Sequence, residues 1–103
     1  MRVLVTGAHG FVGRNLTAEL RNIAEGKCRR YPNIKIDEVM TYDIDSTAEE
    51  LDDYCRRADF VFNLAGVNRP TDNTEFMAGN YGFASQLLER LEHHNNRATV
   101  MLA

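Results

Sequence analysis

A chain of 103 residues carrying 12 Lys plus Arg against 15 Asp plus Glu, 44% hydrophobic and 26% charged, has the make-up of one ordered globular domain. At this size about 65% of the unfolded surface is buried on folding, enough for one modest core and too little for a separate substrate domain. A formal net charge of −3, with basic residues scattered apart from Arg29-Arg30 and Arg56-Arg57, excludes the electrostatic footprint of a nucleic-acid binder.

No run approaches the roughly 18 apolar residues of a membrane span, and the opening Met-Arg-Val-Leu-Val-Thr-Gly meets glycine before a signal-peptide apolar region develops. The expected compartment is the cytoplasm, with no membrane partner. Cys28 and Cys55 lack Cys or His companions at zinc spacing, so neither a disulfide framework nor a metal is expected. Both thiols read as reduced, and Cys55 as a core residue.

Arg2 to Thr6 is a short β-branched and leucine run that stops at a glycine cluster, the pattern of a strand buried on both faces. From Phe11, the residues Val12, Leu16, Leu20 and Ile23 recur at helical spacing until Gly26. After a polar stretch with a Tyr-Pro-Asn turn signal, Glu38 to Tyr42 reads as a second strand ending at Asp43-Ile44-Asp45. Ser46 and Glu49 stand at capping-box spacing ahead of Leu51, Tyr54, Cys55 and Ala58, which predicts a short helix. Asp59 to Leu64 is a third strand, doubly buried like the first, followed by the loop Ala65 to Pro70. A long helix is predicted from about Thr74 to His94, with Asn80, Ala84, Leu87 and Leu91 as its stripe and Leu88 beside it. Ala98 to Ala103 begins a further strand. This alternation predicts an α/β chain: a Rossmann-type doubly wound parallel sheet, partial, with about four strands.

Gly7, Gly10 and Gly13 punctuate the turn between the first strand and the first helix as Gly-x-x-Gly-x-x-Gly. Such a turn asks for positive φ, backbone approach to a pyrophosphate without a Cβ in the way, and close packing of helix on strand. Amides at the helix start and the positive end of its dipole then hold phosphates without a lysine. Placement directly after a buried strand and before a periodic helix favours dinucleotide binding over a merely geometric turn.

An acidic residue ending the second strand completes such a fingerprint, because a carboxylate there accepts both ribose hydroxyls and repels a 2′-phosphate. Asp43 stands in that place, 30 residues beyond Gly13, where a spacing of about 20 is usual. The polar insert around Cys28 to Asp37 accounts for the excess. A turn or helix-capping aspartate is the competing reading, and Asp45 is a weaker candidate. Arg29 and Arg30 could instead reach a 2′-phosphate, although a solvated basic loop explains them as well.

These residues resemble the extended short-chain dehydrogenase/reductase family, the nucleotide-sugar epimerases, dehydratases and reductases. The resemblance covers almost the whole chain: Val5 to Gly13, Asp43, Asn63-Leu64-Ala65-Gly66 and Asn80. Ala58 to Pro70, with Glu75-Phe76, is similar to the capsular-polysaccharide reductases, which reduce a UDP-4-keto-hexose towards UDP-N-acetyl-L-fucosamine and carry a following cupin domain. The resemblance implies that Gly7, Gly10 and Gly13, with the amides of His9, Gly10, Phe11 and Val12, form the pyrophosphate turn. It places Leu64, Ala65 and Gly66 beside the nicotinamide-side ribose, and Asn80 as the asparagine tying its helix to the active site. Its usual third strand and adenine clamp are missing, because the helix after Ser46 runs straight into the strand at Asp59. Its close members use NADPH, whereas the charge of Asp43 favours NAD, so the cofactor is NAD or NADP with a slight tilt to NAD.

Hydride transfer in such enzymes needs a Tyr and Lys one helical turn apart and a Ser or Thr, and no such set is found. Tyr31 and Lys35 have the spacing, but Pro32 keeps them off a helix face. No catalytic residue is therefore assigned. Arg69 is a candidate contact for substrate phosphate, against a solvated loop arginine. Asn80 reads equally as a buried structural residue. Glu89, His93 and His94 read as exposed residues near a helix end and not as metal ligands.

The expectation is the N-terminal cofactor-binding part, residues 1–103, of a longer UDP-sugar reductase or epimerase, with its last strand exposed and the chain self-associating, as a homodimer in the intact enzyme. A non-catalytic NAD(P)-sensing module and a Rossmann-like interaction domain that binds nothing are the alternatives.

Overall fold

Strands and helices alternate in the computed structural model as β1 (Arg2–Thr6), α1 (Phe11–Ala24), β2 (Glu38–Tyr42), α2 (Ala48–Arg57), β3 (Phe60–Asn63), α3 (Asn73–His93) and β4 (Thr99–Leu102). The structure describes residues 1–26, 34–65 and 73–102, with side chains left out over 73–82. The first two strands run as the sequence pattern predicts; β3 pairs one residue inside the predicted run at each end, and β4 starts one residue later than predicted, at Thr99.

The sheet order is β2-β1-β3-β4, and every neighbouring pair is parallel. Among the described residues no strand lies outside β2, consistent with the missing third strand of the family pattern. Side chains alternate across the sheet, so successive residues feed two different cores. Val3 and Val5 pack with Leu20 of α1, Ile36 and Leu64 on one face. Leu4, Met40 and Val61 pack with Leu51 and Cys55 of α2 and with Leu87 and Leu91 of α3 on the other. Leu4, Leu51 and Leu87 are fully buried, each a contribution of about 1.5–3 kcal/mol by area removed from water.

The capping box of α2 sits one residue later than the sequence spacing suggests. Thr47 Oγ1 accepts from the Glu50 amide and Glu50 Oε1 accepts from the Thr47 amide, both at 3.1 Å. Ser46 is released from capping because its Oγ accepts from the Asp43 amide at 3.1 Å. At the far end of α2, Asn96 Nδ2 donates to the carbonyls of Cys55 and Ala58, each at 2.7 Å, and Asn96 Oδ1 accepts from the Ala98 amide at 2.9 Å. Asn95, in the left-handed region at φ 53°, ends α3 and allows that reversal.

His94 departs from the expected solvated position: it is half-buried, and its Nε2 lies 2.9 Å from Asp52 Oδ1 across the α2 and α3 packing. Among the described residues no group of His, Cys, Asp and Glu could hold a metal ion, and no helix is long and apolar enough to cross a membrane. β4 forms the free edge opposite β2, with Met101 and Leu102 40% and 58% exposed.

Candidate functional site

β1 and β3 end side by side at the centre of the sheet. From there the chain leaves β1 for α1 on one face and β3 for α3 on the other, and the divergence opens a crevice at the carboxyl ends of the strands. Thr6 Oγ1 donates to Asn63 Oδ1 at 2.5 Å, a buried polar pair that ties the two ends together.

The glycine turn is built over this point. Gly7 takes φ +71°, and its amide and that of Ala8 donate to the Tyr42 carbonyl at 2.9 and 3.3 Å, which fastens the turn to β2. A Cβ on Gly7 would lie 2.7 Å from the carbonyl carbon and oxygen of Leu64 and 2.8 Å from the Ala65 nitrogen. Leu64 and Ala65 thus pass directly against the turn, the juxtaposition the cofactor-lining reading requires. A Cβ on Gly13 would meet the Gly7 carbonyl oxygen at 2.1 Å, whereas one on Gly10 would find nothing nearer than that oxygen at 3.4 Å. Gly7 and Gly13 are therefore absent of side chains for internal packing, and Gly10 keeps the outer side of the turn open.

α1 begins at that opening. Gly10 is its N-cap, no described side chain caps it, and its first turn holds no acidic residue. The amides of Phe11, Val12 and Gly13 have no intrahelical acceptor by the geometry of a helix start, and the helix dipole adds partial positive charge there. In the same chain α2 has a complete capping box and Glu49 and Glu50 in its first turn. The bare start of α1 suits an anion brought from outside, and a dinucleotide pyrophosphate fits this cradle.

Of the two readings the sequence left open for Asp43, the turn aspartate is observed. Its Oδ2 accepts from the His9 amide at 2.7 Å and its Oδ1 from the Ile44 amide at 2.6 Å, so it shapes the turn. Each carboxylate oxygen retains a second acceptor site, which leaves it able to receive ribose hydroxyls. The His9 amide is thereby engaged, and the Gly10 amide donates to the Gly7 carbonyl at 3.1 Å, so of the four amides expected to line the turn only those of Phe11 and Val12 stand at the open helix start, joined there by that of Gly13. His9 is held at two further points: its carbonyl accepts from Arg14 Nε at 2.8 Å, and its Nε2 lies 2.9 Å from Asp45 Oδ1.

Phe11 and Val12 are exposed beside the turn, and so is Ile44, at 82%. Ile44 and Arg14 are site residues that the sequence reading did not single out; the signal for Ile44 was an isoleucine inside an otherwise polar turn. Gly66 and Arg69 lie outside the described residues, as do Cys28, Arg29, Arg30 and Tyr31. Asn80 is placed on α3 by its backbone, with its side chain outside the description.

The sequence signature of the NAD dependent epimerase/dehydratase family matches residues 3–103. The chain belongs to that family. It is 41% identical over 102 residues to UDP-2-acetamido-2,6-beta-L-arabino-hexul-4-ose reductase of Pseudomonas aeruginosa, covering 99% of this chain and 24% of that protein. Among solved structures it is similar to the capsular polysaccharide assembling protein CapF of Staphylococcus aureus, with a TM-score of 0.70 and 32% identity over 100% of this chain and 25% of that one. CapF with the inhibitor 3-isopropenyl-tropolone superposes with a TM-score of 0.67 at 25% identity, over 99% of this chain and 23% of that one. The chain thus spans about a quarter of the length of the relatives it matches.

Proposed function

We propose that this family member is the dinucleotide-binding part of a nucleotide-sugar reductase or epimerase, which moves hydride between NAD(P) and a UDP-4-keto-sugar in capsular or cell-surface polysaccharide biosynthesis. The observation that carries the reading is the uncapped start of α1 behind an open Gly10, with Asp43 across the turn. The reductase and CapF relatives support the substrate class.

In this reading the amides of Phe11, Val12 and Gly13 hold the pyrophosphate, and Asp43 accepts the adenosine ribose hydroxyls from a position preset by its bonds to the turn. Ile44 offers an apolar surface to the adenine, and Leu64 and Ala65 place backbone beside the nicotinamide-side ribose, with Gly66 assigned there by resemblance and Asn80 assigned, on the same ground, to tying its helix to the active site. Arg69 is assigned to substrate phosphate on the same ground. The nicotinamide supplies the hydride chemistry when bound; the described residues bind and orient, and none has been assigned to proton transfer.

The test is to supply the full-length gene product with a UDP-4-keto-sugar and reduced nicotinamide cofactor, following cofactor oxidation. Turnover is expected. Cofactor binding without turnover of any UDP-keto-sugar would contradict the reductase reading and leave a sensing module. The exposed edge of β4 supports self-association wherever no further strand covers it, and light scattering that shows a strict monomer of the isolated chain at every concentration would refute that part.

A further inference from the structure

Tyr42 closes β2 and acts on both faces of the sheet. Its carbonyl accepts from the Gly7 and Ala8 amides at 2.9 and 3.3 Å, so its main chain sets where the glycine turn stands over the crevice. Side chains alternate along the strand: Val39 packs towards α1, and Met40 and Tyr42 towards α2 and α3. There the Tyr42 ring lies on Phe83 of α3, with centroids 5.3 Å apart and planes inclined by 22°, a near-parallel stack at a separation where aromatic rings attract.

The surroundings give this stack a second task besides filling the core. Tyr42 is the last residue of β2, and Asp43 directly after it turns its carboxylate to the His9 amide, so any movement of the Tyr42 main chain is passed to the turn through both residues. Phe83 precedes Leu87 and Leu91 at four-residue steps in the row by which α3 packs on this core, so a shift of the helix carries the Phe83 ring with it. Burial, then the charges of Asp43 and Glu50, push the Tyr42 hydroxyl above its usual value of 10 and keep it neutral. The attraction between β2 and α3 at this point therefore rests on the rings.

We propose that Tyr42 and Phe83 are positioning residues for dinucleotide binding: α3, on one face of the sheet, holds the Tyr42 carbonyl through the stacked rings and thereby sets the glycine turn on the other. The proposal rests on the cofactor reading above, and it assigns neither side chain a contact with the cofactor.

Hydrogen exchange of the full-length gene product, followed by mass spectrometry over peptides containing Gly7 and Ala8, tests it together with calorimetric titration by NADH and NADPH. The variants are Phe83→Leu, Tyr42→Leu and Tyr42→Phe, with Leu91→Val as a control that thins the same core about two turns further along α3. Loss of the stack in Phe83→Leu and in Tyr42→Leu speeds exchange at the turn and weakens both dinucleotides by about fivefold, the factor that one aromatic pair is worth. Tyr42→Phe keeps both rings and matches wild type. Leu91→Val lowers the melting temperature and leaves exchange at the turn and dinucleotide affinity unchanged. The positioning role is overturned if Phe83→Leu and Tyr42→Leu exchange at the turn as wild type does, or if they bind the dinucleotides as wild type does. It is overturned equally if Leu91→Val moves the turn as much as they do, or if Tyr42→Phe weakens binding as much as Tyr42→Leu. A wild-type protein that binds neither dinucleotide refutes the cofactor reading, and exchange at Gly7 and Ala8 then decides by itself whether the stack holds the turn.

Discussion

The three turn glycines invite one chemical change, addition of a methyl, with different expected outcomes. In Gly13→Ala the new Cβ meets the Gly7 carbonyl oxygen at 2.1 Å and the Ala8 Cα at 2.9 Å. That contact must open by more than about 1 Å to reach ordinary van der Waals range, and both partners are backbone held by the Tyr42 carbonyl. Overpacking of this kind costs about 1–3 kcal/mol, and a rigid backbone partner puts Gly13→Ala at the upper end of that range. Gly7→Ala adds the left-handed penalty of about 1–2 kcal/mol, at φ +71°, to a clash with the Leu64 backbone. Gly10→Ala meets nothing within 3.4 Å and sits at φ −71°, so only the poorer N-cap counts, about 0.5–1 kcal/mol. Its methyl instead stands where the pyrophosphate approaches, and the loss of one charged hydrogen bond weakens dinucleotide binding by about tenfold. Chemical denaturation of the cofactor-free variants, paired with NADH titration, measures both axes. Equal destabilisation by Gly10→Ala and Gly13→Ala, or a Gly13→Ala protein as stable as wild type, would refute the assignment of Gly13 to packing and Gly10 to access.

Thr47→Ala should lower stability by about 1 kcal/mol through loss of the capping box, and a larger loss from Ser46→Ala in the same melting assay would contradict the observed frame. Asp52 is held below its usual value of 3.8 first by the hydrogen bond from His94; desolvation opposes this, and the positive charges of His94, Arg90 and His93 each add a lesser lowering. A carboxylate lowered in the folded state stabilises above its unfolded pKa and loses that contribution as pH falls through the folded value. The melting temperature should therefore drop below about pH 4, and Asp52→Asn should make the drop shallower; an identical acid profile would remove the pair from the account. Burial pushes the Cys55 thiol up to about 11, so mass-mapped alkylation at pH 8 should spare Cys55 in the folded protein and modify it after denaturation. Labelling of Cys55 at equal rates in both states would show that the packing of α2 is not as described.

Much of this arrangement was written locally. β1 announces itself because a doubly buried strand needs an unbroken apolar run, and α1 because its apolar spacing starts at a glycine turn. The frame of the α2 cap was not legible, since Ser46 and Thr47 can each cap a helix and only the demand of the Asp43 amide for Ser46 Oγ decides between them. Asp43 was ambiguous for a related reason: its role in the turn depends on the His9 amide, 34 residues away in the chain. His94 reads as surface from its place near a helix end, yet the packing of α2 on α3 sets Asp52 against it.

The central claim is that the uncapped start of α1 is a pyrophosphate site. A crystal structure of the full-length gene product with bound dinucleotide tests it most directly. The account requires pyrophosphate oxygens within hydrogen-bonding distance of the Phe11 and Val12 amides, with the adenosine ribose against Asp43. A dinucleotide bound elsewhere, with the turn from Gly7 to Gly13 free of contact, would contradict it.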